Sequence, residues 1–295
     1  MPSRRQIREA TIQFLYCFDL EGEANAEPLR ETFWQFLTET DRRNLTVATF
    51  RTVQHLAHGR ETRLSEFVER SQNAIKLLSP VPETDSLTDG LNRLLALESS
   101  WSLAFSKLTR IPKDGEDDAV ANEFEDATAT LFKIDHDLEF HRKQVLRLFE
   151  DHPHLKARTE AVAASIRRLQ RISDRLRMVE APENFPDQAD LAKIRHSKAE
   201  ITALKAQTDQ MVTSVLSAKD EIDTKLSTIL ENYSPERIDP VDRAILRLGA
   251  YELLKTDTPS KVIINEAIEI AKRFGTTDSQ RFVNGLLDSI AKIRD

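Results

Sequence analysis

Residues 239–293 read DPVDRAILRLGAYELLKTDTPSKVIINEAIEIAKRFGTTDSQRFVNGLLDSIAKI, and their punctuation spells three helices in a row. Asp239 is a good N-cap, and Pro240 suits a first turn, where its missing amide proton costs nothing. Ala244, Ile245, Leu248, Leu253 and Leu254 then supply one apolar face. Pro259 restarts the chain into a second helix, with Val262, Ile263, Ala267, Ile270, Ala271 and Phe274 inward and Gly275 as C-cap. Asp278 opens a third helix carrying Phe282, Val283, Leu286, Leu287 and Ile290.

The rest of the chain agrees with an all-α fold. Seven glycines and eleven prolines among 295 residues are too few for the turns of a sandwich, barrel or doubly wound sheet. The formal net charge is −7, and 40% of residues are apolar. The length suits one large domain or two smaller ones. A single cysteine, Cys17, excludes an internal disulfide or a cysteine metal cluster and reads as a small core residue. No apolar run approaches the roughly 18 residues of a membrane span, and no secretory core follows the start, so a soluble cytoplasmic protein without membrane contact is expected.

Prolines divide the middle, because each interrupts a helix. Pro80 and Pro82, Pro112, Pro153, Pro182 with Pro186, and Pro235 bound four segments with apolar residues at alternating steps of three and four. The seams are Leu87 to Leu108, Val120 to Leu148, Leu155 to Val179, and Leu204 to Ile229. A 3-4 repeat is the period of helices packed side by side, and short connections favour antiparallel neighbours. Residues 83–230 thus read as a four-helix bundle, monomeric because Glu98, Lys225 and several Ser and Thr interrupt the seams. From Asp114 to Glu139 ten acids face one base, Lys133, whereas Lys156 to Arg177 carries seven bases and two acids. Arg167, Arg171 and Arg175 form a row. It could bind nucleic acid, or it could face the acidic helix; the charge complement favours the second reading.

The N-terminus is also amphipathic. Ile7, Thr11, Phe14, Leu15 and Phe18 share one helical face, and Arg4 and Arg8 share another, with Arg5 beside them. Arginines at a helix start oppose the dipole, and a bound polyanion would repair the mismatch.

Taken together, these strings resemble the NusB family. They are Arg4-Arg5 with Arg8-Glu9 and Leu15-Tyr16, then Ala244 to Leu248 with Tyr251-Glu252-Leu253. After them come Lys261-Val262 with Ile264 to Glu269, Ala271 to Gly275, and Phe282-Val283-Asn284-Gly285. Phe36-Leu37 and Phe50-Arg51 through Phe67 match more loosely. The resemblance implies a double three-helix-bundle domain, discontinuous over 1–78 and 219–295, interrupted by an antiparallel four-helix bundle over 79–218. The fourth inserted helix would run on unbroken near Ile222. Two segments, Leu64 to Arg70 and Glu221 to Leu230, both fit the helix that precedes the C-terminal half.

The family's function is implied with the fold. NusB proteins are transcription antitermination factors without a catalytic centre. They pair with ribosomal protein NusE, bind single-stranded boxA RNA of ribosomal RNA leaders within the transcription elongation complex, and assist ribosomal RNA maturation. Carried over by position, Arg4, Arg5 and Arg8 would meet phosphates and Tyr16 would stack on a base. Asp278, Gln280, Arg281 and Phe282 would lie near RNA, with Asp242 and Arg243 near the partner. Phe282 also reads as core, and Asn265, Glu266 and Asn284 as buried hydrogen-bonding residues. Gln280 and Gln6 depart from the residues common in relatives. Three phosphate contacts give a salt slope of only about two, which fits binding with a partner subunit.

An enzyme is disfavoured. The glycines never cluster into a phosphate-binding loop. Asp137 and His141 lack the Glu-x-x-His pair of a di-iron bundle, so neither cofactor nor metal is expected. The alternative is a non-catalytic scaffold whose inserted bundle docks a partner or dimerises.

Overall fold

The computed structural model describes residues 1–22, 26–112, 118–230 and 237–294. Pro235 and residues 114–117 of the acidic run lie outside them. Among the described residues all regular structure is helical, as the shortage of turn residues requires. Two compact units form, one from residues 1–39 with 199–295 and one from 40–198. These limits differ from 78/79 and 218/219, the boundaries read from the sequence, and the packing of each unit explains why.

The terminal unit is organised around α10 (Pro240–Lys255), on which α1 (Arg4–Leu20), α11 (Ser260–Phe274), α12 (Ser279–Arg294) and α9 (Lys219–Ile229) pack. The N-cap holds as expected, with Asp239 Oδ1 accepting from the Val241 amide at 2.9 Å. Residues 244 to 250 are all buried, so α10 is a central helix and not the one-faced helix its apolar spacing suggested. Phe14 and Phe18 of α1 form a second apolar cluster with Phe33 and Trp34 of α2 (Ala26–Leu37) and Val212 of α8 (Ala192–Ser217). Thr208, Val212 and Val215 are fully buried, which places residues 199–217 in this unit.

The fourth inserted helix does not run through. It breaks at Ala218, where α8 ends and α9 begins with φ −100° and ψ 2°. Ile222 and Leu226 of α9 bury with α10 and α12. The segment that sits with the C-terminal helices is therefore the one beginning at Glu221, not Leu64 to Arg70.

The second unit is a four-helix bundle of different membership. It is a ring of α4 (Arg60–Leu78), α5 (Asp85–Arg110), α6 (Asp118–Asp151) and α7 (Lys156–Arg177), each packed on the next and α7 on α4. Phe67, Ala74 and Leu78 of α4 join Leu87, Leu91 and Leu94 of α5 in one core. Residues 60–78 take the place that the sequence reading gave to the helix after Pro186. Ala48, Phe50 and Val53 of α3 (Glu39–Leu56) join the same core.

The α7 seam, Leu155 to Val179, is buried as spaced, and α6 buries Phe124, Leu131, Leu138 and Val145 of its seam but not Ile134 or His141, which the three-and-four spacing also placed inside. Asp135 and Arg142 take the interior places expected for Ile134 and His141. Arg142 Nε donates to Glu98 at 3.1 Å and its Nη1 to Ser173 Oγ at 2.7 Å, while Ser173 donates to Asp135 at 2.7 Å. Arg60 also pairs with Glu98 and lies 3.5 Å over the Trp101 ring. Charged residues enter this core because they satisfy one another.

Candidate nucleic-acid interface

The start of α1 is built by a capping box. Ser3 Oγ accepts from the Gln6 amide at 3.2 Å, and Gln6 Oε1 accepts from the Ser3 amide at 2.8 Å. Gln6 thus has a local role that Ser-x-x-Gln already encodes. No acid occupies the first turn, so the positive end of the dipole faces Arg4 and Arg5 without compensation inside the helix.

The three arginines have separate fates. Arg8 is buried, its Nε and Nη2 each 2.9 Å from the Glu252 carboxylate of α10, with both side chains 7% exposed. It cannot meet a phosphate without abandoning that pair, which corrects its expected role. Arg5 donates from Nε and Nη2 to Glu266 of α11 at 2.9 Å, yet half of its side chain stays exposed. Glu266 holds the Arg5 guanidinium above its ordinary pKa, by hydrogen bond first and charge second, and Arg5 lowers the Glu266 carboxyl in turn. Arg4 is exposed and lines a cleft of about 390 Å³ with Gln207, Gln210, Tyr251 and Thr258, over Ile7 and Met211. Gln207, Gln210, Tyr251 and Thr258 were not among the expected site residues, although Tyr251 stands in the family-like string Tyr251-Glu252-Leu253.

The other expected residues gather elsewhere in this unit. Arg8 with Glu252 and Asp19 with Arg243 show that α1 runs antiparallel to α10. Asp242, at the opposite end of α10 from Glu252, meets Ser279 at the start of α12. Ten residues of helix separate Asp242 from Glu252, about 15 Å along the axis. Asp278 and Arg281 are exposed at that far end, whereas Gln280 is half-buried and Phe282 packs partly into the core. Tyr16 is also half-buried against that core.

Asp242 and Arg243 are turned inward. Asp242 is buried, which raises its carboxyl pKa against the hydrogen bond with Ser279, and its Oδ1 has no hydrogen-bond partner. Arg243 Nε donates to Asp19 at 2.7 Å. Burial also pushes the Cys17 thiol up. Asn265 is exposed, contrary to the buried role expected of it, because its position on α11 faces outward.

In the second unit a larger cleft, about 620 Å³, lies among Leu45, Thr49, Phe124, Phe132 and Val179, with Lys133 and His136 on its wall. Among the described residues no group of three or more His, Cys, Asp or Glu is placed to hold a metal ion. Among them, too, no helix is long and apolar enough to cross a membrane.

The fold and site define an all-α protein whose terminal unit, assembled from both ends of the chain, presents arginines at the start of its first helix. The chain belongs to the NusB family, whose profile matches residues 156–292. That match begins at α7, inside the stretch the sequence reading treated as inserted.

Similar proteins include the transcription antitermination protein NusB of Macrococcus caseolyticus, 46% identical over 84 residues, covering 28% of this chain and 65% of that one. The protein of the same name from Xanthomonas axonopodis pv. citri is 46% identical over 102 residues, covering 34% and 64%. The chain thus spans just under two thirds of these relatives. A solved structure of T. maritima NusB is 40% identical, covering 37% of this chain and 80% of that one, with a TM-score of 0.31.

Proposed function

We propose that the protein is a transcription antitermination factor that binds single-stranded RNA through its terminal unit. The observation that carries this reading is the start of α1, where no acid occupies the first turn, Arg4 is exposed, and Arg5, though paired with Glu266, keeps half of its side chain exposed. Backbone amides and arginines together favour phosphate there. The cleft beside Arg4 offers an aromatic wall, Tyr251, and two amide side chains, the groups that hold a splayed base. A strand reaching from Arg4 toward Asp278 and Arg281 must bridge about 15 Å between the two ends of α10, which suits a short run of nucleotides. The RNA is of the boxA type in ribosomal RNA leaders, and the role extends to ribosomal RNA transcription and maturation within the elongation complex.

Ribosomal protein NusE is the proposed partner, at the end of α10 that holds Asp242 and Arg243. There the two residues shape the surface through Ser279 and Asp19 and do not supply free charge. Binding, not catalysis, is the activity. The test is capture of a boxA-like oligonucleotide by the full chain, with and without the ribosomal protein. Retention that rises with the ribosomal protein supports the reading, and no retention under either condition refutes it.

A further inference from the structure

The row Arg167, Arg171 and Arg175 was expected to face the acidic helix α6, and it does not. Among the basic residues of α7 it is Arg177 that meets α6, pairing with Glu139 and lying 3.7 Å from Asp135. Arg158 Nη1 donates to the Leu77 carbonyl at 3.2 Å and Arg168 Nη1 to Glu66 at 3.0 Å, so both serve α4. Arg167, Arg171 and Arg175 remain exposed on the other side. The carboxylates nearest them are only loosely engaged: Glu160 lies 3.9 Å from Arg167 and Asp190 3.8 Å from Arg175. Asp190 is also 3.7 Å from His55 of α3, and exposed Arg51 stands one turn before His55. A file of three arginines therefore runs along α7 and ends where Asp190 stands between Arg175 and His55 of α3, in a chain whose net charge is −7.

We propose that this file is a second RNA-contact surface, which grips the phosphates of a single strand beyond the stretch taken by the terminal unit. Arginines four residues apart stand about 6 Å apart along a helix axis, close to the step between successive phosphates of a strand. Guanidinium groups suit the task because they present several donors in a rigid fork and hold their charge at any physiological pH. The contact reads charge, not base sequence. It rests on the RNA-binding reading above, but uses different residues in a different unit.

The test compares two RNAs by fluorescence anisotropy across a salt series. One is a boxA-like single strand long enough only for the terminal unit; the other is the same strand extended by uridine tracts. The full-length variant R167Q/R171Q/R175Q should lose about two from the salt slope on the extended strand, at about 0.7 per phosphate contact. It should bind the short strand as the unsubstituted protein does. R167K/R171K/R175K should keep the slope, which separates charge from any disturbance of folding. Identical slopes for the glutamine variant and the parent on the extended strand would overturn the proposal. Failure of the terminal-unit reading would show separately, as indifference of the short strand to R4A/R5A.

Discussion

Arg8 and Glu252 form a buried two-pronged ion pair that ties the first helix of the chain to its tenth across 244 residues of sequence. Two charges from opposite ends of the chain leave water together there. Such a pair is costly to break from one side, because the survivor stays buried and unpaired.

Arg8→Ala or Glu252→Ala should therefore cost the terminal unit about 3–5 kcal/mol. The double variant R8M/E252M, which leaves no orphaned charge, should recover most of it. Hydrogen exchange of α1 and α10 amides measures both.

The second unit makes the same claim at Glu98. Arg60 and Arg142 both depend on that carboxylate, and all three side chains are at most 3% exposed. Glu98→Gln should destabilise the bundle by about 3–5 kcal/mol. Trp101, stacked beneath Arg60, reports it by fluorescence in a Trp34→Phe background.

Asp242 sets a pH dependence of definite sign. Burial raises its folded-state pKa above the unfolded value. Between those two values the folded state holds the extra proton, so its contribution to stability falls as pH rises through that window. Asp242→Asn should gain on the parent protein as pH rises upward from the ordinary carboxylate range, and no widening of the difference would show that burial does not govern this carboxyl.

Gly275 ends α11 in extended backbone, φ −93° and ψ −171°, not in the left-handed form of a usual C-cap. A Cβ there would stand 2.6 Å from Ser279 Cβ and 2.8 Å from the Ala271 carbonyl oxygen. Gly275→Ala should cost about 1–3 kcal/mol through overpacking. Gly275→Asn should cost no less, although asparagine tolerates left-handed turns. Thermal unfolding of the two variants distinguishes close approach from a conformational need.

Much of this was legible from spacing. The α7 seam, the Asp239-Pro240 start and the all-helical class follow from residues whose preferences act locally. What stayed hidden involved charge in the interior. The three-and-four spacing places Ile134 and His141 inside α6, whereas Asp135 and Arg142, one position further on, are the ones buried, with Arg142 bonded to Glu98 and Ser173 and Ser173 bonded to Asp135. Arg8 was hidden in the same way, since nothing local reveals that Glu252 awaits it. The bundle's membership was missed because α4 and the segment after Pro186 carry equally good helical patterns. The first packs with α5 and α7, and the C-terminal half of the second packs in the terminal unit.

The measurement that bears most directly on the account is the salt dependence of boxA-like single-stranded RNA binding by the intact protein and by R4A/R5A. Loss of two phosphate contacts should lower the log–log slope by about 1.4 and weaken binding at low salt, while α1 and α10 keep their amide protection. An unchanged slope and affinity in that variant would contradict the claim that the start of α1 holds RNA.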